Sequence, residues 1–206
     1  MTVSAVAFDY GGVLTYSAFK GFAEYATELG LPDESLVTFF RDDPQMALLE
    51  TGQITSREFM KYVCIEAERR HGQRIDIRRL GAAAASGQVL NPAMLELVRE
   101  VKQHSTTALL TNNVAEAAWR ETFPFELFDV VIDSSAVGVR KPDPKIYAAL
   151  LEKLNRPAAE VAFVDDLAIN VDAAATLGIS AILFTGLETC RAELVRLGAL
   201  PAAQPA

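Results

Sequence analysis

The sequence predicts an α/β fold: a doubly wound parallel sheet with a helical cap inserted after its first strand. Three observations predict it. After residue 88, short and almost wholly apolar runs alternate with helical patterns, the rhythm of strands buried on both faces and joined by crossover helices. Between residues 15 and 87 the pattern is helical throughout. A strand-like segment, Val3–Phe8, stands directly before that stretch, so the helices interrupt the sheet rather than follow it. This divides the chain into a Rossmann-like core, residues 1–14 and 88–206, and a helical cap, residues 15–87.

The elements follow in order. Val3–Phe8 is the first strand, and Asp9-Tyr10-Gly11-Gly12 turns out of it. Helix-like apolar spacing marks Phe19–Leu29, Glu34–Phe40 and Gln45–Leu49. Thr55-Ser56-Arg57-Glu58 fits a capping box that opens a helix to about Arg70, and Asp76–Ala85 is a further helix. Asn91-Pro92 combines a cap residue with Pro at the first helical position and starts a helix to about Gln103. Thr107–Leu110 is a strand, after which Thr111-Asn112-Asn113 is expected to cap a helix over Val114–Glu121. Val130–Ile132, Val161–Val164 and Ala181–Phe184 are strands. Asp143-Pro144 starts a helix to about Leu154, and Ala168–Leu177 and Thr189–Leu197 are helices. The tail from Pro201 to Ala206 is expected to fray.

Composition narrows the function. The formal charge of −8 argues against a nucleic-acid surface, which needs clustered Lys and Arg; the basic runs at Arg69-Arg70 and Arg78-Arg79 stand among acidic residues as solvated helix faces. No apolar run nears the roughly 18–20 residues that span a bilayer, and the first residues carry no basic or signal-type stretch, so the expectation is a cytoplasmic protein with no membrane partner. Cys64 and Cys190 fit no zinc-ligand or CxxC spacing, and His71 and His104 have no motif around them. Oligomeric state is not legible.

In a doubly wound sheet, ligands bind beyond the carboxyl ends of the strands. The residues there are Asp9 after the first strand, Thr111-Asn112 after the second, Asp133-Ser134 and then Arg140-Lys141-Pro142 after the third, and Asp165-Asp166 after the fourth. Carboxylates gathered this way need a cation, since their mutual repulsion otherwise raises their pKa values. Magnesium suits hard oxygen ligands and keeps waters that a phosphate can replace, and Asp9, Asp165 and Asp166 supply such oxygens. Lys141 is placed to pair with both a nucleophilic carboxylate and an incoming phosphate. The Thr111 hydroxyl and the first N–H groups of the helix expected after it would hold phosphate oxygens.

Phe8-Asp9-Tyr10-Gly11-Gly12-Val13-Leu14-Thr15, Leu110-Thr111-Asn112, Lys141-Pro142-Asp143-Pro144 and Phe163-Val164-Asp165-Asp166 with Asn170 resemble, in order, the four motifs of the haloacid dehalogenase superfamily. The stretch Phe128–Phe184 resembles the phosphatase domain at the N-terminus of soluble epoxide hydrolases, and Leu49–Thr55 with Glu58-Phe59 resembles a turn of the cap in this group. The resemblance implies a phosphatase acting on a small-molecule phosphate ester. Asp9 would be the nucleophile and a metal ligand, Lys141 would stabilise phosphoryl transfer, and Thr111 and Asn112 would bind phosphate. Asp165 and Asp166 would hold Mg²⁺ with the backbone carbonyl of Gly11. Asn170 reads either as a hydrogen-bond partner of the acidic pair or as a plain surface position of its helix. One position departs from the family: where its phosphatases carry a second aspartate as general acid/base, this chain has Gly11. Losing such a group typically costs about 10²–10⁴ in rate, and less when the leaving group is a weak base.

Two other readings compete with phosphate-ester hydrolysis. A metal-independent haloacid dehalogenase would attack carbon, leaving the Asp165-Asp166 pair without a cation to hold. A weak phosphate- or metabolite-binding regulator would explain Gly11 but has no need of a nucleophile. Ser134 and Ser135 are lesser candidates for the site. Arg41, Trp119, Phe39, Phe40 and Tyr62 are expected to pack rather than to touch substrate.

Overall fold

The computed structural model describes residues 2–16, 19–86 and 88–202. The frayed end expected of the tail falls, from residue 203 on, outside the described residues. Five strands form one sheet: β1 (Ala5–Phe8), β2 (Thr106–Thr111), β3 (Val130–Asp133), β4 (Val161–Asp165) and β5 (Ser180–Leu183). They lie in the order β3-β2-β1-β4-β5, and every pairing is parallel. This is the doubly wound α/β sheet expected. The first strand starts two residues later than the hydrophobic pattern suggests, because the amides of Val3 and Ser4 bond to the carbonyls of Leu197 and Glu160.

Alternation along β1 shows why both faces must be covered. Val6 and Phe8 enter one core with Met94, Leu97 and Val98 of helix α6 (Pro92–Lys102) and Leu194 of α10 (Leu187–Arg196). Ala5 and Ala7 enter a second core with Ile146, Tyr147 and Leu150 of α8 (Pro144–Leu154) and Ala174 of α9 (Ala168–Thr176). Burial on both faces is what makes the strands read as unbroken apolar runs.

Helices α1 (Lys20–Glu28), α2 (Glu34–Arg41), α3 (Pro44–Glu50), α4 (Ser56–His71) and α5 (Ile77–Ser86) lie between β1 and α6 in sequence and share a third core around Phe22, Leu36, Phe39, Phe59 and Leu80. The α4 capping box is formed both ways, Glu58 N donating to Thr55 Oγ1 (3.2 Å) and Thr55 N to Glu58 Oε2 (2.8 Å). Gly21 lets α1 approach α5, since a Cβ there would stand 2.3 Å from the Ala83 carbonyl oxygen. The chain leaves the sheet layer and returns at one place, where Thr15 bridges Leu90 and Asn91 N bonds to Leu14 O. The helical layer is further tied to the sheet layer by the Ser134 hydroxyl, which donates to Glu50 O (2.6 Å), and by Ser56 N, which donates to Glu116 Oε2 (3.0 Å). Among the described residues no helix is long and apolar enough to cross a membrane.

One predicted helix is absent. Residues 114–121 form no α-helix; only a single 3₁₀ turn, Ala118–Glu121, occurs there. Side chains have taken the local backbone groups instead. Asn113 Oδ1 accepts from Val114 N (2.9 Å) and from Trp119 Nε1 (3.1 Å), while Arg120 donates to the Val114 carbonyl (3.1 Å). Trp119 then stacks on Tyr10 with ring centroids 4.1 Å apart. Local polar capture and aromatic burial outweigh a modest helical propensity here. A short helix that the sequence pattern does not signal, α7 (Ser134–Val137), follows β3 and is capped by Asp133.

Candidate active site

The register of the sheet sets the site. Phe8 lies level with Leu109 of β2 and Val164 of β4, so the residues that follow these strands emerge side by side. Asp9 therefore stands next to Asp165 and Asp166, and carboxylate oxygens of the three lie within 4.8 Å of one another. Lys141 reaches in from the loop before α8, 1% exposed, with Nζ 2.7 Å from Asp9 Oδ1 and 2.7 Å from Asp165 Oδ2.

The two acidic neighbours are not equivalent. Asp165 is fully buried, and both of its oxygens are engaged. Oδ1 accepts from Leu167 N (2.9 Å) and Asn170 Nδ2 (3.0 Å), and Oδ2 accepts from Lys141 Nζ (2.7 Å) and Asn170 Nδ2 (3.1 Å). Asn170 thus contacts the first member of the acidic pair through its amide nitrogen. Asp166 is half-buried, makes no ion pair among the described residues, and lines the cavity. Gly12 makes room for it. A Cβ at Gly12 would sit 2.1 Å from Asp166 Oδ2, and the Gly12 φ of +74° already favours glycine.

Three carboxylates face one ammonium, and their ionisation reflects it. Burial pushes the Asp9 carboxyl up to about 8; Lys141 pulls it down, and the charge on Asp165 adds to the rise. Burial, then Asp165, pushes Asp166 up to about 6. Burial works against the Lys141 ammonium, but Asp9 and Asp165 outweigh it and raise its pKa. An excess of negative charge at a water-shielded point is the condition in which a divalent cation binds.

The phosphate-binding candidates are placed differently from one another. Asn112 borders the cavity, but its amide is engaged with the backbone of Lys141: Oδ1 accepts from Lys141 N (2.8 Å) and Nδ2 donates to Lys141 O (3.0 Å). Asn112 therefore fixes the loop that presents the lysine. Thr111 is buried at the end of β2, its hydroxyl 3.4 Å from the Asn112 carbonyl, and is not on the cavity wall. The helix N-terminus expected beyond it is missing, so no helical N–H cradle stands there, a correction that follows from the side-chain capture at Asn113.

A cavity of about 240 Å³ opens from these residues and runs under the helical layer. Asp9, Gly11, Asp166 and Asn170 border its polar end. Phe40 and Arg41, expected only to pack, also border it; Trp119 is core, and Ser134 ties the layers together. Sequence reasoning missed Glu50, which lies in the quoted turn motif without an assigned role. Its carboxylate is 7% exposed, 2.9 Å from Arg140 Nε but not aligned for a hydrogen bond, and burial pushes it up to about 7 against the pull of Arg140. A lone carboxylate at the end of an apolar helix, followed by Thr-Gly, was the available signal.

The family model for haloacid dehalogenase-like hydrolases matches residues 3–178. The chain is 31% identical to bifunctional epoxide hydrolase 2 of Sus scrofa over 96% of its own length, and spans 39% of that longer protein. It is 31% identical to phosphatase MT3486 of Mycobacterium tuberculosis (strain CDC 1551 / Oshkosh) over 95% of this chain and 94% of that one. Among solved structures, a HAD family enzyme of Bacteroides thetaiotaomicron in complex with magnesium superposes with a TM-score of 0.68 at 24% identity, covering 88% of this chain and 93% of that one.

Proposed function

From the premise that this chain belongs to the haloacid dehalogenase-like hydrolases, we propose that it is a Mg²⁺-dependent phosphate-monoester hydrolase acting through an aspartyl-phosphate on Asp9. The observation that carries the reading is the cluster itself: a buried aspartate held by a buried lysine, beside an aspartate that lines the cavity. The phosphatase named among the relatives and the magnesium complex among the structural neighbours support it.

The donor set fits magnesium. Asp9 and Asp166 would hold the ion with the backbone carbonyl of Gly11, while Asp165, whose oxygens are already engaged, would act by holding Lys141 and orienting its neighbour. Bound there, the ion supplies positive charge that offsets the carboxylates and the phosphoryl oxygens. Lys141 Nζ pairs with Asp9 Oδ1, which leaves the other carboxylate oxygen as the nucleophile. That oxygen bonds to phosphorus as the ester P–O bond breaks; the leaving oxygen takes the electron pair and a proton from water. A second water then attacks phosphorus, releasing inorganic phosphate and restoring Asp9. Residues 15–87 act as the cap, covering the leaving group and excluding bulk water.

The test is release of phosphate from an activated aryl phosphate with and without Mg²⁺, for the wild type and Asp9→Asn. Metal-dependent turnover that falls by roughly 10⁴-fold or more in the variant is expected. Turnover independent of both the metal and Asp9 would end the reading.

A further inference from the structure

We infer, building on the phosphatase reading, that the natural substrate is the phosphate monoester of an apolar, ring-bearing hydroxyl compound, a phenol or a similarly acidic alcohol, rather than of a polyol. Two independent observations lead there: the chemistry of the cavity wall, and the residue at position 11.

Beyond Asp9 the cavity is walled by Phe19, Phe22, Phe40, Met46, Leu49 and Met60 from the helical layer. Phe22 and Phe40 stack with centroids 3.6 Å apart, and Phe59 meets Phe40 edge-on, so this part of the wall is aromatic and stiff. Methionines supply the adaptable remainder. The charged groups on the wall are engaged with one another or with neighbours: Arg41 with Glu34 (2.8 Å) and Asp42 (2.9 Å), and Glu50 with Arg140 (2.9 Å). Of the uncommitted polar side chains among the described residues, Ser56 and Gln88 stand on the wall away from the acidic cluster, with Tyr10, whose unpartnered hydroxyl is buried while its ring stacks on Trp119. A sugar or glycerol ester would strip its hydroxyls of water here against few such groups, a loss that specific sites avoid by pairing each hydroxyl. An apolar ring loses nothing and gains contact. The space is about eight water molecules' worth at roughly 30 Å³ each, enough for a small fused ring.

Position 11 selects within apolar substrates. Gly11 has no side chain to protonate the departing oxygen. An alkoxide is a strong base and leaves poorly without an acid; a phenoxide leaves unaided. A pocket that favours rings and a site without that acid agree on the same class.

The experiment compares kcat/KM of the wild type, with Mg²⁺, for 1-naphthyl, phenyl, decyl, glucose 6- and acetyl phosphates. Acetyl phosphate has a small, activated leaving group and reads the phosphatase chemistry without the subsite. Naphthyl phosphate should exceed phenyl phosphate by about 80–250-fold, since each of its four additional buried carbons contributes about three- to fourfold. Glucose 6-phosphate and decyl phosphate should each fall at least about 100-fold below naphthyl phosphate. Turnover of acetyl phosphate with glucose 6-phosphate or decyl phosphate equal to or better than naphthyl phosphate overturns the inference and leaves the phosphatase reading standing. Should acetyl phosphate be inert, the fault lies with that reading, and saturable 1-naphthol binding, followed by its fluorescence, decides the subsite. Binding lost in a folded Met60→Glu variant upholds it; absence of binding to the wild type overturns it.

Discussion

The two walls of the cavity are built on opposite principles. At the strand ends, Asp9, Lys141, Asp165 and Asn170 are joined by polar contacts of 2.7–3.1 Å that engage both oxygens of Asp165 and one of Asp9. Across from them, the helical layer offers aromatic rings and methionine side chains whose positions follow from apolar packing. Directional bonds fix atoms to a fraction of an ångström, as chemistry at phosphorus requires. Apolar packing sets shape and dryness, which a leaving group of variable outline needs. On the proposed reading the molecule separates reaction from selection by layer, and changes to each wall should fail in different ways.

The largest effect is expected at the polar wall. Lys141→Met leaves Asp9 and Asp165 buried beside each other without their shared ammonium. Removing one partner of a buried ion pair typically costs about 3–5 kcal/mol, on the order of 10 °C in Tm for a chain of this size. Added Mg²⁺ should recover part of that loss, because it takes over neutralisation of the same carboxylates. Thermal unfolding with and without the metal measures both. A variant as stable as the wild type in the absence of divalent cations would mean that the lysine does not hold this wall together.

The same contrast explains what could be read from the sequence. Strand ends are legible because a short apolar run fixes where the chain leaves the sheet, and parallel order places those exits together; Asp9, Asp165 and Asp166 needed no more than that. The division of labour between Asp165 and Asp166 was not legible, since it depends on Asn170 and Leu167 N reaching the first and Gly12 yielding space to the second. The helix expected over residues 114–121 failed for a related reason. Its fate was decided by the stacking of Trp119 on Tyr10, more than a hundred residues away in the chain. The apolar wall was least legible of all. Phe40 looks the same in sequence whether it faces a core or a cavity, and here it borders both.

A middle-sized effect is expected where the two walls meet. Gly11 has φ −69° and ψ 127°, values open to any residue, so Gly11→Asp introduces an acid without backbone strain. On decyl phosphate the variant should gain about 10–100-fold in kcat, within the range that general acids supply. On naphthyl phosphate, whose leaving group needs no proton, it should gain little. Equal gains on both, or none on either, would detach the missing acid from leaving-group choice.

The smallest effect tests which force governs the one buried carboxylate of the apolar wall. Burial and Arg140 act on Glu50 in opposite senses, and burial wins, holding the carboxyl near 7 where an unfolded chain has about 4.5. The folded protein then keeps a proton that the unfolded chain releases between those values. Stability from this group is therefore complete below about 4.5 and is lost as pH rises toward 7, by no more than about 1.4 kcal/mol per pH unit. Glu50→Gln mimics the protonated form at every pH. Its stability relative to wild type, measured by urea unfolding, should climb from pH 4.5 to 7 and then level off. If Arg140 were the stronger influence, the carboxyl would sit below 4.5 and the climb would vanish. Taking the difference between variant and wild type cancels the contributions of Asp9 and Asp166, so the slope isolates the carboxylate through which the helical layer pairs with Arg140 of the loop before α8.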